Sequence, residues 1–304
     1  MRVLIIGLPL FAKRVQRDLS EFDSDNSYTH LDTYTGLWNK VKTLFTVPRV
    51  DIVYSLNGAV RDSMVFSLAL RFNKILVIHW VGTDVVKAKK HIADNEYNHD
   101  IVNKAVHFSE VGWIQKELAE SGIESDVMSF VSFEESLEAK DRSVEEFYVL
   151  TYITYERAKF YGIDMIISLA KDNPDIVFKI AGMDHYDTEL PTNIKLLGWV
   201  DNLGEIIVKS GVCLRYTDHD GLSSFVLETL ALGKHIIYNN EFDHCMYARD
   251  QQAIETHIQT LKTAHANGEE IANTKGEIFI KEKFNKKYVL GALVNKFQAL
   301  VQNN

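Results

Sequence analysis

Asp220 and Glu228 stand eight residues apart within Tyr216-Thr217-Asp218-His219-Asp220-Gly221-Leu222-Ser223-Ser224-Phe225-Val226-Leu227-Glu228-Thr229-Leu230-Ala231-Leu232-Gly233, the first in a polar loop and the second in an apolar segment. The pattern predicts a loop that runs into a helix. Ser223 or Ser224 can cap the helix start, and Gly233 can end it before the β-rich run His235-Ile236-Ile237-Tyr238. The first amides of a helix have no partner of their own and sit at the positive end of its dipole, so they attract phosphate. Gly221 lets the backbone come close to a ligand. Glu228 needs a partner, because its helix-face neighbours Phe225, Ala231 and Leu232 are apolar and a carboxylate buried alone costs several kcal/mol. It is not the acid of a capping box, since position 225 is Phe. Two explanations stand side by side: a hydroxyl-rich ligand such as a ribose, or a hydrogen bond to Ser224 or a neighbouring loop.

The elements that must hold this loop are legible as two successive α/β series. Val3-Leu4-Ile5-Ile6-Gly7 is a continuous apolar run closed by glycine, the pattern of a strand buried on both faces of a parallel sheet. A helix over 11–19 follows. Asp51-Ile52-Val53-Tyr54-Ser55, Ile75-Leu76-Val77-Ile78-His79 and Val106-His107-Phe108-Ser109 read as further strands, with helices over 62–72 and 111–121. The acid-rich stretch from Phe133 to Arg142 reads as a linker. A second series then starts with Phe147-Tyr148-Val149-Leu150-Thr151-Tyr152 and the helix 163–170. It continues through strands at 177–182, 194–200 and 212–215 and a helix at 203–209, and the stretch Glu277 to Val301 reads as helical. The expected fold is therefore α/β, two Rossmann-like domains facing across a cleft, with ligands at the carboxyl ends of the strands. The expected domains are 1–143, 144–285 and a C-terminal helix, 286–304, packing back on the first.

Composition excludes several classes. The 304 residues are 46% hydrophobic and 25% charged, which is ordinary for a globular chain with two cores. The net charge of −9 leaves no basic stripe, so nucleic acid is not an expected partner. Two cysteines, Cys213 and Cys245, lack metal-type spacing and suit a reducing cytoplasm. No window approaches the roughly 20 apolar residues of a membrane span, and no signal peptide is expected. Leu37-Trp38-Asn39-Lys40-Val41-Lys42-Thr43-Leu44-Phe45, with Lys87, Lys89 and Lys90, makes a basic amphipathic edge; it reads as a solvated surface or as a peripheral contact with anionic lipid.

The segment Asp220 to Gly233 resembles the acid-x7-Glu signature of retaining glycosyltransferases of the GT-B fold, in particular glycosyltransferase family 4, with Asp220 where the first acid is usually Glu. Arg157-Ala158-Lys159-Phe160-Tyr161-Gly162-Ile163-Asp164 is similar to the Arg…Lys-Gly-x-Asp segment that opens the donor domain of that family, except that Tyr161 stands where the lysine would precede the glycine. The resemblance covers residues 147 to 240 and, more loosely, the first domain. It implies that Glu228 holds the nucleotide ribose and that the amides of Leu222, Ser223 and Ser224 hold the diphosphate. It places Asp220 and the backbone of Gly221 against the donor sugar. Arg157 and Lys159 would neutralise the leaving diphosphate, where negative charge builds as the glycosidic bond breaks. Val200, with Trp199, follows the strand that leads to the base pocket, although Trp199 also suits ordinary core packing. In the first domain His79-Trp80-Val81-Gly82-Thr83-Asp84 resembles the loop in which the family sets a histidine over the donor sugar, which brings in His79 and Asp84. Gly7-Leu8-Pro9 occupies the place of the first glycine-rich loop, with a single Gly.

The function implied is transfer of a sugar from a nucleotide diphosphate sugar of UDP or GDP type to a hydroxyl acceptor, with retention, in polysaccharide, lipopolysaccharide or glycolipid assembly. The expected partners are the nucleotide sugar and a carbohydrate or lipid-linked acceptor, and the expected location is cytoplasmic or peripheral at the inner face of the membrane. The sequence offers no pair of carboxylates assignable as nucleophile and general acid. Asp218-His219-Asp220 has Asp-x-Asp spacing, but Asp220 already belongs to the signature, so no metal and no cofactor are expected. Two alternatives share the same donor: a sugar-nucleotide epimerase or hydrolase of the same fold, and a non-catalytic nucleotide-sugar-binding subunit.

Overall fold

The computed structural model describes residues 1–34, 37–133 and 143–303, so the linker expected between Phe133 and Arg142 lies almost wholly outside them. The chain forms two compact units, one of Met1–Phe133 with Phe284–Asn304 and one of Glu134–Lys283. In the first, the elements in order are β1 (Arg2–Gly7), α1 (Pro9–Phe22), β2 (Ser27–His30), α2 (Leu37–Thr46), β3 (Ile52–Leu56), α3 (Met64–Arg71), β4 (Ile75–Trp80), α4 (Thr83–Ala93), α5 (His99–Lys104), β5 (Val106–Ser109), α6 (Gly112–Ala119) and β6 (Asp126–Val127). The second holds β7 (Tyr148–Tyr152), α7 (Ile163–Asp172), β8 (Val177–Ala181), β9 (Ile194–Gly198), α8 (Leu203–Lys209), β10 (Val212–Arg215), α9 (Ser224–Ala231), β11 (Ile236–Tyr238), β12 (Met246–Tyr247), α10 (Gln251–Ala266) and α11 (Thr274–Lys283). The chain then returns to the first unit with α12 (Lys286–Gln302).

Each unit is built on one six-stranded sheet, in the orders β2-β1-β3-β4-β5-β6 and β12-β11-β10-β7-β8-β9, and every pairing is parallel. Strands covered by helices on both faces must be apolar throughout, and β3 is buried along its whole length. Gly7 closes β1 at a φ of 106°, and a Cβ there would lie 2.1 Å from the Leu56 carbonyl oxygen of β3. The close approach of two strands therefore explains this glycine without any ligand.

The strand that ends near His79 continues to Trp80, and the basic residues Lys87, Lys89 and Lys90 lie on the helix α4. The C-terminal stretch is not one helix: it breaks at Phe284 and Asn285, and the Asn285 side chain caps α12 by accepting from the Tyr288 amide at 2.8 Å, as an N-cap residue does. That break is also where the chain leaves the second unit. α12 buries Val289, Leu293 and Phe297, the last with its ring centroid 5.1 Å from that of Tyr54 in β3. Among the described residues no helix is long and apolar enough to cross a membrane.

Candidate functional site

The signature segment lies where its pattern placed it, at the carboxyl end of β10. α9 begins at Ser224, with Ser223 at the N-cap position by its extended backbone, although the Ser223 hydroxyl makes no capping bond. The Val226 and Leu227 amides donate to the Ser223 carbonyl at 3.0 and 3.2 Å. The amides of Ser223 and Ser224 themselves donate to no acceptor among the described residues, as expected at the open end of a helix. The loop before them is tied on several sides. The Tyr238 hydroxyl donates to the Gly221 carbonyl at 3.1 Å, the Asn239 side-chain amide to the Thr217 carbonyl at 2.7 Å, and the Asp218 amide to the Phe160 carbonyl at 3.0 Å. Such tethers fix the direction of the helix-start amides before any ligand arrives.

Asp220 is not simply a surface acid. Its Oδ2 accepts from the Arg215 Nε at 2.8 Å and lies 3.5 Å from the Tyr238 hydroxyl, and the side chains of the ion pair are only 7% (Arg215) and 16% (Asp220) exposed. Burial alone would lower the guanidinium pKa, but the Asp220 carboxylate outweighs it and holds the value above the ordinary one. Burial, helped by the same carboxylate, keeps the Tyr238 hydroxyl protonated far above its usual range. Motif reading does not find Arg215. Its signal is an arginine closing the otherwise apolar strand Val212-Cys213-Leu214-Arg215, at the sheet edge where ligands bind in α/β units.

The segment 157–164 meets the same loop. Arg157 ends a short 3₁₀ turn after β7 and is exposed; its guanidinium carbon lies 4.1 Å from the Phe160 ring centroid and 5.2 Å from that of Tyr161. The Arg215 guanidinium carbon lies 4.5 Å from the same Tyr161 ring, so this ring carries two cations. Lys159 is exposed and forms no ion pair among the described residues. Gly162, at φ 72°, starts α7, and a Cβ there would press on Tyr216 at 2.7 Å, so the two segments touch through a glycine.

Glu228 is half-buried rather than buried, which weakens the desolvation argument for it. Trp199 is 77% exposed and its indole N–H donates to the Asp201 carboxylate at 3.1 Å, so it is not a core residue. Val200 beside it is half-buried. The two strand ends here are joined by the Gly182 amide donating to the Gly198 carbonyl at 2.8 Å, and Gly182 needs its φ of 100° because a Cβ would meet the Ile153 carbonyl at 2.7 Å. The second unit thus brings Arg157, Val200, Asp220, Gly221, Leu222, Ser223, Ser224 and Glu228 to one edge of its sheet, with Arg215 added. Among the described residues no group of three or more His, Cys, Asp or Glu side chains is arranged to hold a metal ion.

The first unit treats its candidates differently. His79 has no exposed surface; its Nδ1 pairs with the Tyr54 hydroxyl at 2.7 Å and its ring packs against Phe108 and Phe130. Burial lowers its pKa to about 3, because an imidazolium is disfavoured away from water. β4 thus carries His79 inside the core of the first unit. Asp84 is buried as well and accepts from the amides of Gly58, Val81, Gly82 and Val85 at 2.6–3.2 Å, so it serves the start of α4 as a capping acid does. Gly7, by contrast, borders a cavity of about 400 Å³ at the carboxyl ends of β1 and β3. Its wall includes Tyr34, Ser55, Asn57 and Ser63, with Asn57 held at a φ of 135° and its side-chain amide donating to the Tyr34 hydroxyl at 3.0 Å.

No family model matches the sequence, and none of the curated proteins compared with it matches. Solved structures do. HepE of Anabaena, in complex with UDP and glucose, is 12% identical at a TM-score of 0.73, covering 98% of this chain and 100% of its own. Sucrose-phosphate synthase from Thermosynechococcus elongatus is 11% identical at 0.71, covering 100% of both chains. A protein of Listeria monocytogenes described as a UDP-N-acetylglucosamine 2-epimerase is 11% identical at 0.54, covering 100% of this chain and 97% of its own. These likenesses give the fold: the two Rossmann-like units are those of the GT-B architecture.

Proposed function

We propose that the chain is a retaining glycosyltransferase that moves a sugar from a nucleotide diphosphate sugar to a hydroxyl acceptor. The observation that carries this reading is the tethered loop at the end of β10. It sets the helix-start amides of Ser223 and Ser224, which donate to no acceptor among the described residues, at one sheet edge together with Asp220, Glu228 and Arg157. In this reading the amides of Leu222, Ser223 and Ser224 receive the diphosphate, Glu228 the ribose hydroxyls, and Val200 with the exposed Trp199 the base. Asp220 and Gly221 meet the donor sugar. The bond from the anomeric carbon to the phosphate oxygen breaks while the bond to the acceptor oxygen forms on the same face, and the acceptor proton passes to the departing phosphate oxygen. Arg157 and Lys159 lower the barrier by meeting the charge that grows there.

HepE is bound to UDP, which makes UDP the first nucleotide to try and GDP the second. A thermal-shift series with both, followed by transfer from the matching labelled sugar nucleotide, tests the reading; no shift with either nucleotide sinks it. Retention is read from the anomeric proton coupling of the product, and metal independence from activity that survives a chelator. The acceptor belongs, in this proposal, to the hydroxyl-lined cavity beside Gly7 in the first unit, in the assembly of a polysaccharide, lipopolysaccharide or glycolipid. A lipid-linked acceptor fits α2, whose Trp38 and Phe45 are 79% and 63% exposed next to Lys42, the mixture of apolar and basic groups that lies on anionic lipid. Salt-sensitive co-sedimentation with anionic vesicles is the measurement for that contact. The structural likeness to the Listeria protein keeps one competing reading, a sugar-nucleotide epimerase, which predicts a changed sugar with no acceptor present.

A further inference from the structure

We propose that Arg215 is a direct ligand of the diphosphate and supplies the cation that this chain lacks directly before Gly162. The inference deepens the nucleotide reading above and rests on it. The Arg215 side chain is only 7% exposed. A charge so placed is costly to keep, and a buried ion pair seldom stabilises a fold more than an apolar pair of equal volume would. Its retention therefore asks for another use. Arg215 is hydrogen-bonded through Nε alone; its two Nη atoms donate to nothing among the described residues. The Nε–Asp220 bond fixes the plane of the guanidinium, and the Tyr161 ring at 4.5 Å lies against it. What remains is a rigid two-pronged donor, the geometry that matches phosphate oxygens.

Its position agrees. Asp220, to which it is bonded, precedes Leu222 by two residues. Two Cα steps span at most ~7 Å, so the Arg215 head lies close to the helix-start amides. The lysine of the resembling family is replaced by Tyr161, and that same ring lies against both Arg157 and Arg215. The tyrosine thus lies against two guanidiniums where the resembling family has one arginine and one lysine.

The test compares Asp220→Asn with the double change Arg215→Met, Asp220→Asn, titrating UDP, GDP and inorganic pyrophosphate calorimetrically after checking that both variants melt cooperatively. Asp220→Asn keeps the guanidinium and is the reference for the double variant, and the three ligands carry no donor sugar, so the contact of Asp220 with the donor sugar does not enter the comparison. The double variant removes both charges without stranding either, and is expected to lose about 10- to 100-fold for every ligand that carries two phosphates. Adding Tyr161→Lys to the double variant should recover about 10-fold. Equal affinities for the single and double variants overturn the proposal and leave the nucleotide reading standing. Failure of the parent chain to bind any of the three overturns both. If the double variant does not fold, Arg215→Lys decides: a ligand that loses its fork drops about 3- to 10-fold, and unchanged affinity overturns the idea.

Discussion

At the scale of single residues, Asp220 and Arg215 act as one unit, and this decides which substitutions are informative. Asp220→Ala strands a buried guanidinium and is expected to cost about 3–5 kcal/mol of stability in urea unfolding, so its loss of activity will not identify a catalytic acid. Glu228→Ala and Arg157→Ala touch half-buried and exposed side chains. Transfer is expected to fall about 100-fold or more in each, and for the exposed Arg157 the melting temperature should stay nearly unchanged. His79 belongs to stability instead. Its folded pKa of about 3 lies below the value near 6.5 of an unfolded histidine, so its contribution is complete above the unfolded value and is lost as pH falls toward the folded one. That predicts about 1.4 kcal/mol lost per pH unit through this window. The paired change His79→Phe, Tyr54→Phe, which leaves no orphaned hydroxyl, should flatten the pH dependence of the urea midpoint. The loop and helix that carry Asp220 and Glu228 were legible because their signal is local, a spacing along one loop and one helix. The pairing of Arg215 was not, because it depends on where β10 ends, nor was the burial of His79, because sheet register decides whether a strand-end residue faces solvent.

At the scale of elements, the strands were legible from continuous apolar runs, since burial on both faces leaves no other composition. Helices with mixed composition were less so. α4 starts behind a glycine at φ 144° and owes its first turn to the buried Asp84 carboxylate, a cap that lies inside the helix sequence and that local reading does not weigh. The helical pattern from Glu277 onward runs through Phe284, and α12 begins anew behind Asn285, where the chain returns to the first unit. Asn285 caps α12 and Phe297 packs on Tyr54. Asn285→Ala is expected to cost about 1 kcal/mol, from loss of the cap, and Phe297→Ala about 3–5 kcal/mol, from a cavity against Tyr54. Both should appear in urea unfolding followed by signals from the first unit, with nucleotide affinity of the second unit retained.

At the scale of the whole molecule, the site proposed on the second parallel sheet is built from that sheet's own strand ends. Saturating nucleotide at about 100 times its Kd should add about 2.7 kcal/mol to that unit, read as slower hydrogen exchange in β10 and α9. A fold shared at 12% identity with HepE shows how little of the sequence such an architecture needs: apolar strands, glycines where backbones approach, and a polar loop at one edge. The path of the chain also bears on how the protein comes into being. The helix that completes the first core, α12, is translated after every residue of the second unit. On the ribosome the second unit can therefore finish folding while the first waits with the seat of Phe297 against Tyr54 empty, its apolar lining offered to chaperones or to a neighbouring nascent chain. Ribosome-stalled chains long enough to bring Lys283, but not α12, out of the exit tunnel should resist protease in the second unit and be cut in the first, and chains that expose α12 as well should close that window.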